Sequence, residues 1–525
     1  MDSIAQLLLN LVIWAPILVA VLMMVFLKEE LDFLARPITI ATTFAAMVGA
    51  GALFLFFQTG SADYQFVTRF NWIETAGLNI DYFIGLDGIN IGLVCMAAVV
   101  GFAATACSWE IRNREKEFYV LLLLMIGGII GSFASLDLFF MYFFHELSLV
   151  PTFIMIGKWG RGKDQVYATY KITMYLTAGA LIALAGLIML YLQAPAGARS
   201  FSIDELTQIF AQFPINGASQ STIFGLLMFG FGILVSLWPF HTWAPIGYGS
   251  APTATAMMHA GVIKKFGLYG LIRVALSLVP EGAHMWMHVL AWLCLGNILY
   301  CGLVAIKQKD LNLLIGNSSV AHMGFVFLGI ASLSLLGVMG AVMIMVAHGL
   351  LAALTFGLSG YLYNQTKTLD MTKMGGLMKQ MPFFGTCFVM AFMAGCGLPG
   401  FANFFGEVMI FFSAWKVFPV VTVFAIWGGL VIGGVYMLRA IRSILHGPAK
   451  DEWFVVSDTD DWWRRLPFVL LLAVLLYFGV FPASLSNKIK PSAEVIVSNL
   501  KAVEADDWNL GEAALKANLA SQKNK

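Results

Sequence analysis

Two lysines stand side by side in the stretch MMHAGVIKKFGLYG, residues 257–270, a segment that otherwise reads as apolar helix. Carboxylates occupy equally apolar settings: Glu146 in FFMYFFHELSLVP and Glu407 in GFANFFGEVMIFF, neither with a Lys or Arg beside it in sequence. His241, His259, His322 and His348 complete the set. Each of these side chains can take up a proton and pass it on. Burial also narrows the difference in proton affinity between a carboxylate and an amine. The chemistry on offer is proton transfer along a row of groups. A lone histidine in an apolar helix serves equally well as a hydrogen bond to its neighbour, so the argument rests on the whole set. Lys264 and Lys265 point about 100° apart on a helix. They cannot serve one site: one faces a polar interior and the other needs a second partner. Asp137, between two apolar runs, reads first as a helix cap and second as an accessory group.

The elements that position these residues are set by composition. The chain has 525 residues, 59% of them hydrophobic and 12% charged, with a mean hydropathy of +0.82 and a net charge of +1. Soluble domains carry about 25% charged residues. Apolar runs of roughly 20 residues recur along nearly the whole length, the signature of membrane-spanning helices, and the alternating pattern of membrane barrels is absent. The expected fold is an all-α polytopic membrane protein with fourteen spans, near 5–27, 38–58, 86–108, 118–136, 138–156, 168–192, 222–243, 253–279, 285–306, 312–331, 334–361, 384–413, 418–446 and 467–483. The first run lacks a basic start and a cleavage site and reads as a retained span. The six cysteines fall in or beside apolar runs with no CxxC pair, which marks them as buried filler.

Basic residues orient the spans. Loops on one side hold Lys28 and Arg36, then Arg112, Arg114 and Lys116, then Lys158, Arg161, Lys163 and Lys171. Lys307, Lys309, Lys367, Lys373, Lys379, Arg439, Arg442, Lys450, Arg464 and Arg465 follow on the same side, nineteen in all. The opposite loops hold four: Arg69, Arg199, Arg273 and Lys416. The basic side is cytoplasmic by the positive-inside rule, so both termini are expected on the non-cytoplasmic side. The polar tail adds six lysines and reads as a surface helix with a frayed end. Lys264 and Lys265 alone stay inside a span.

Two spans are interrupted, the seventh at SLWPFHTWAP and the twelfth at GCGLPGFANFFG. Proline and glycine in mid-span free backbone groups, which is tolerable only beside protein or water. The breaks lie five spans apart. Paired breaks point to repeats of inverted topology with an ion path between them: 118–279 (spans four to eight) and 285–446 (spans nine to thirteen), preceded by 1–117 and followed by 467–525. GKWGRGKD at 157–164 half resembles a phosphate loop, but Asp164 stands where Ser or Thr would hold magnesium and no strand precedes it. No dinucleotide, haem or zinc pattern occurs, so no cofactor is expected in this chain.

The motifs HELSLVP (145–151), PFHTWAP (239–245), SAPTATAMMHAGVIKKFGLYGLIR (250–273), SSVAHMGFVFLGI (318–330), AHGLLAALTFGLSGYLYNQTKTLDMTKMGGL (347–377) and LPGFANFFGEVMI (398–410) resemble the antiporter-like membrane subunits of proton-translocating NADH–quinone oxidoreductase, respiratory complex I. The resemblance covers nearly the whole length. A glutamate at 407 is similar to the M type, where L and N types usually carry lysine. The resemblance implies a fifth-span carboxylate at Glu146 that relays coupling, a central lysine at Lys265, polar path residues at His322 and His348, and a terminal carrier at Glu407. His241 and His259 remain accessory. It also implies L-type and N-type chains as partners, with flavin, iron–sulfur clusters and quinone held by other subunits.

Two departures stand out. The family's seventh-span lysine is Leu234 here, and its Asp-x-Lys-Arg pattern at the tenth span is KDLNLL, with Asn312 and Leu313. Lys264 is then either a substitute that turns toward Glu146 or the seventh span, or a charge paired elsewhere. Other classes built on this fold are a multisubunit cation/proton antiporter, a membrane-bound hydrogenase module, and a structural subunit with a degenerate channel.

Overall fold

The computed structural model describes residues 2–75, 78–448, 453 and 455–502. The expected frayed end, 503–525, lies outside the described residues. In chain order come α1 (Asp2–Phe26), α2 (Ala35–Phe56), the hairpin β1 (Gln65–Thr75) and β2 (Leu78–Leu86), α3 (Ile91–Ala106), α4 (Glu115–Ala134), α5 (Leu138–Trp159) and α6 (Gln165–Gln193). Then follow α7 (Ile203–Gln212), α8 (Gly217–Val235), α9 (Trp243–Ser250), α10 (Thr253–Met258), α11 (Lys265–Gly270), α12 (Pro280–Leu295), α13 (Cys301–Lys307), α14 (Leu311–Ala331) and α15 (Leu335–Thr366). The last named elements are α16 (Leu377–Gln380), α17 (Pro382–Gly395), α18 (Ala402–Val417), α19 (Pro419–Trp427), α20 (Gly433–Leu445) and α21 (Trp462–Val480), and helix continues over 483–502.

Eleven described helices are long and apolar enough to cross a bilayer. The third, eighth and twelfth crossings are made by α3, by α10 and α11 with their flanking π turns, and by α17 with α18. Cross-chain bonds show the fourteen crossings alternating. At one end, Arg161 N–H donates to Ser250 O at 2.8 Å, Arg439 Nη2 to Gln308 O at 2.5 Å, and Phe383 N–H to Asp458 Oδ2 at 2.6 Å. At the other end, Gly88 N–H donates to Ser492 Oγ at 3.0 Å, Glu281 N–H to Gln220 Oε1 at 3.0 Å, and Lys488 Nζ to Phe57 O at 3.1 Å. Each pair joins loops that an even number of crossings separates, and the first set is the basic side. The interior is built on α14, α15 and α4, almost wholly buried, while α1, α2, α6 and α21 turn an apolar side outward.

Three features depart from the sequence expectation. Strands do occur: β1 and β2 pair antiparallel, with register shifts between Gln65 and Thr68 and between Asn71 and Ile73. Val67, Thr68, Phe70, Trp72 and Ile73 suit a pleated surface, and the hairpin packs through Tyr82, which accepts from Trp14 Nε1 at 2.8 Å and meets the Phe140 ring at 5.2 Å. Second, α7 is a short surface helix whose Glu205 pairs with Arg69 of the hairpin. Third, Arg273 is not a loop residue. It is buried within the eighth crossing, where its Nη2 meets Asp87 Oδ1 at 2.5 Å and its Nε lies 3.3 Å from Tyr269 Oη.

The Asp87–Arg273 pair joins the end of the hairpin to the eighth crossing, 186 residues on. Removing one member strands a buried charge. Asp87→Ala is expected to destabilise the chain by about 3–5 kcal/mol, read as a lowered thermal transition in detergent. An Asp87→Asn/Arg273→Met double substitution is expected to cost less.

Candidate functional site

The eighth crossing is a helix with its register interrupted. Residues His259–Ile263 and Leu271–Leu276 form π turns on either side of α11. A π turn holds one residue more than an α turn and appears often at functional sites. Here it sends the Lys264 N–H to His259 O at 3.2 Å, five residues back. The Ala260 carbonyl is taken instead by Lys265 Nζ, at 2.6 Å. One lysine amine therefore bonds back onto its own helix, and that contact fixes where it points.

From there Lys265 Nζ meets His348 Nδ1 on α15 at 3.0 Å. The His348 and His322 rings follow at 5.4 Å between centroids. His322, on α14, has Nδ1 2.8 Å from Ser318 O and Nε2 3.0 Å from Gly395 O, the last residue of α17. A neutral imidazole can donate only one of these bonds; the doubly protonated ring donates both. Tyr436 Oη of α20 donates to Ser318 Oγ at 3.2 Å, and Tyr436 lies within electrostatic range of Glu407.

Glu407 is buried on the second turn of α18, past the break at 396–401. Its carboxylate rests against Gly397, whose φ is +69° and where any Cβ would collide with Oε2. Glycine at 397 is thus required twice, by its backbone and by the space. Asn403, one turn before Glu407, is fully buried with neither amide atom bonded.

Lys264 turns the other way from Lys265. Its Nζ donates to Ser319 Oγ of α14 at 3.0 Å and sits 5.6 Å from the centre of the Tyr248 ring of α9. This corrects the idea that Lys264 approaches Glu146. It reaches α14 of the second repeat, with the Tyr248 ring of α9 from the first repeat beside it. A narrow cavity lined by Ser318, Ser319, His322, His348 and Thr355 lies between the two lysine branches. A polar column continues from it toward the basic end: Thr355, then Ser359, which donates to Asn312. Asn312, one of the two departures from the family pattern, thus joins α14 to α15 as a neutral contact.

Glu146 is not brought into this row. Its side chain is 36% exposed on the outer face of α5, and His145 Nδ1 stands 3.4 Å from its Oε1. His145, which the sequence did not single out, stacks at 3.8 Å on Phe266, the neighbour of Lys265. Leu234 is buried in α8 and offers no charge. His259 meets Tyr248 Oη at 3.4 Å. His241 sits in the first break, edge-on to Tyr300 at 5.5 Å. Asp137 caps α5 through Oδ1, which accepts from Phe139 N at 2.8 Å and Phe140 N at 3.1 Å. The six cysteines are free, and no cluster of three or more metal-ligating side chains occurs among the described residues.

Residues 135–433 match the family model described as NADH:quinone oxidoreductase/Mrp antiporter, TM. NADH-quinone oxidoreductase subunit M of Pseudomonas aeruginosa is 36% identical over 435 residues, 81% of this chain and 83% of that one. Respiratory complex I from Thermus thermophilus with bound NADH contains a chain similar at a TM-score of 0.83 and 26% identity, over 95% of this chain and all of that one. A chain of the Mrp complex from Dietzia shares the fold at a TM-score of 0.79 and 17% identity, covering 94% and 99%.

Asp137 carries a pH signature. Burial, opposed by the two cap bonds, pushes its pKa from 3.8 up to about 7. Between those values the folded chain holds more protons than the unfolded one, so this group's contribution to stability falls as pH rises from about 4 to 7. Asp137→Asn keeps an oxygen for the cap and is expected to flatten that slope in thermal unfolding measured across the interval.

Proposed function

The chain belongs to the NADH:quinone oxidoreductase/Mrp antiporter membrane-subunit family, and from that premise we propose that it conducts protons as an M-type, antiporter-like subunit in the membrane arm of NADH–quinone oxidoreductase. The observation that carries the reading is the continuous contact Lys265–His348–His322, with Glu407 beyond it past a broken helix. The chain takes no part in electron transfer; flavin, iron–sulfur clusters and quinone belong to partner subunits, among them L-type and N-type chains. The membrane is the bacterial inner membrane, with the basic side cytoplasmic and both termini opposite. Residues 118–279 and 285–446 act as two repeats of inverted topology, each contributing one broken helix.

Protons enter from the cytoplasm along Asn312, Ser359 and Thr355 to the cavity beside the lysines. Lys264 and Lys265 are neighbours on one buried helix, with no carboxylate in contact with either among the described residues. Two ammonium charges so close repel one another at low dielectric. A proton taken up on Lys264 from the Ser319 side therefore drives the Lys265 proton onto His348. From His322 it moves past Tyr436 to Glu407. Glu146, half-exposed on α5, lies where a neighbouring subunit's charge can reach it, and His145 and Phe266 connect it to the lysine helix. Lys264, held against α14 of the second repeat, thus does by repulsion what a seventh-span lysine would do by pairing with Glu146.

A second reading has one observation in its favour: buried Leu234 leaves Glu146 without a cationic lysine, as in a structural subunit whose channel has decayed. Proteoliposomes of the whole complex separate the two. Glu407→Gln and Lys265→Met are expected to slow transfer through this chain by about 10²-fold or more, lowering protons moved per NADH while uncoupled quinone reduction continues. Lys264→Leu is expected to give a smaller loss. Unchanged proton stoichiometry in Glu407→Gln would establish the decayed channel instead.

A further inference from the structure

Four segments converge on a cavity of about 180 Å³ at the non-basic end: α12, the α14–α15 turn, the α18–α19 junction and the helix over 483–502. Its titratable lining is His284, His288 and Lys501. The two histidines are four residues apart and share a face of α12. His284 Nε2 donates to Leu500 O at 3.1 Å, which leaves Nδ1 able to accept a proton. His288 is exposed and meets the Phe418 ring edge-on at 5.1 Å.

The same cavity is lined by Ser332, one end of a hydroxyl trio. Ser413 Oγ lies 2.6 Å from Ser332 Oγ and 2.5 Å from Ser334 Oγ. Gly337 makes room for the trio, since a Cβ there would collide with the hydroxyls of Ser332 and Ser413. Ser413 lies on α18, the helix of Glu407, six residues further on and roughly 9 Å along the axis. Between them Ile410 packs against Gly329 and Gly340, one apolar turn separating the buried carboxylate from the hydroxyls.

We propose that this cavity is the proton-release port, with Ser413 and Ser332 as the conducting hydroxyls and the His284/His288 pair as the group that hands the proton to water. Each hydroxyl both donates and accepts, so the trio passes a proton without a net change of charge. An imidazole exchanges protons with water near neutral pH. Lys501 lines the rim of the same cavity. Ile410 is the apolar seal that keeps Glu407 from outside water until the proton is released. The assignment rests on Glu407 as the last carrier within the membrane.

The test uses the whole complex in proteoliposomes. The double substitution His284→Gln/His288→Gln is expected to cut proton release through this chain by at least about tenfold, with uncoupled quinone reduction retained. Imidazole on the release side is expected to restore it. Ser413→Ala is expected to give the same loss without rescue, because an added base cannot replace a buried hydroxyl. Parental release in the double variant, while Glu407→Gln has lost it, would overturn the port. So would a loss that imidazole leaves untouched, which a structural role alone explains; the exposed single variant His288→Gln repeats the rescue test with the least disturbance to packing. Normal release in Glu407→Gln would sink the relay reading separately, and an imidazole-reversible loss in the double variant would still uphold the port.

Discussion

The contact of Lys265 Nζ with the Ala260 carbonyl is the joint on which the interior depends. A bilayer core offers no water to a carbonyl that has lost its amide, so an irregular turn survives there only if protein supplies the bond. Within the π turn over His259–Ile263 the Ala260 carbonyl accepts from Lys265, just past its end. The His259 carbonyl receives the Lys264 N–H, which in a regular α turn would go to Ala260, and the Ala260 carbonyl accepts from the Lys265 side chain. Once Lys265 is held there, its amine reaches His348 and Lys264 is left facing α14. One backbone irregularity sets both directions.

The same constraint governs the second broken crossing. The end of α17 gives its Gly395 carbonyl to His322, and the left-handed turn at Gly397 brings the chain against the Glu407 carboxylate. Freed backbone and titratable side chains meet because each satisfies the other. The buried Asp87–Arg273 pair plays a similar part at the far end of the lysine helix, where it ties that helix to the hairpin and, through Gly88 and Ser492, to the last described helix.

Much of this is legible in the sequence because it depends on residue type. Apolar runs mark the crossings, lysine and arginine bias marks their alternation, and Pro239 and Pro399 with nearby glycines mark the breaks. Lys265, His322, His348 and Glu407 stand out as polar groups in apolar surroundings. What stays hidden depends on geometry. Residue type places Lys264 near Glu146 or the seventh span, but a π turn has no composition signature and it decides the direction. Arg273 reads as a loop cation because its partner, Asp87, is 186 residues away. The hairpin escapes notice because its aromatic and β-branched residues blend with the apolar background. Glu146 groups with the interior by sequence, and only the packing of α5 shows it half-exposed.

The π turn at His259–Ile263 also amounts to a phase shift of one residue in an otherwise regular helix. A chain lacking that one residue would close a regular α turn with both flanks facing as they do now, whereas the same deletion in a regular stretch of the helix would keep nearly the same apolar run and rotate everything on one side by about 100° against the other. Hydrophobicity is blind to that rotation. Insertions and deletions inside a membrane helix therefore belong with charge substitutions as changes that can rewire a path of side chains.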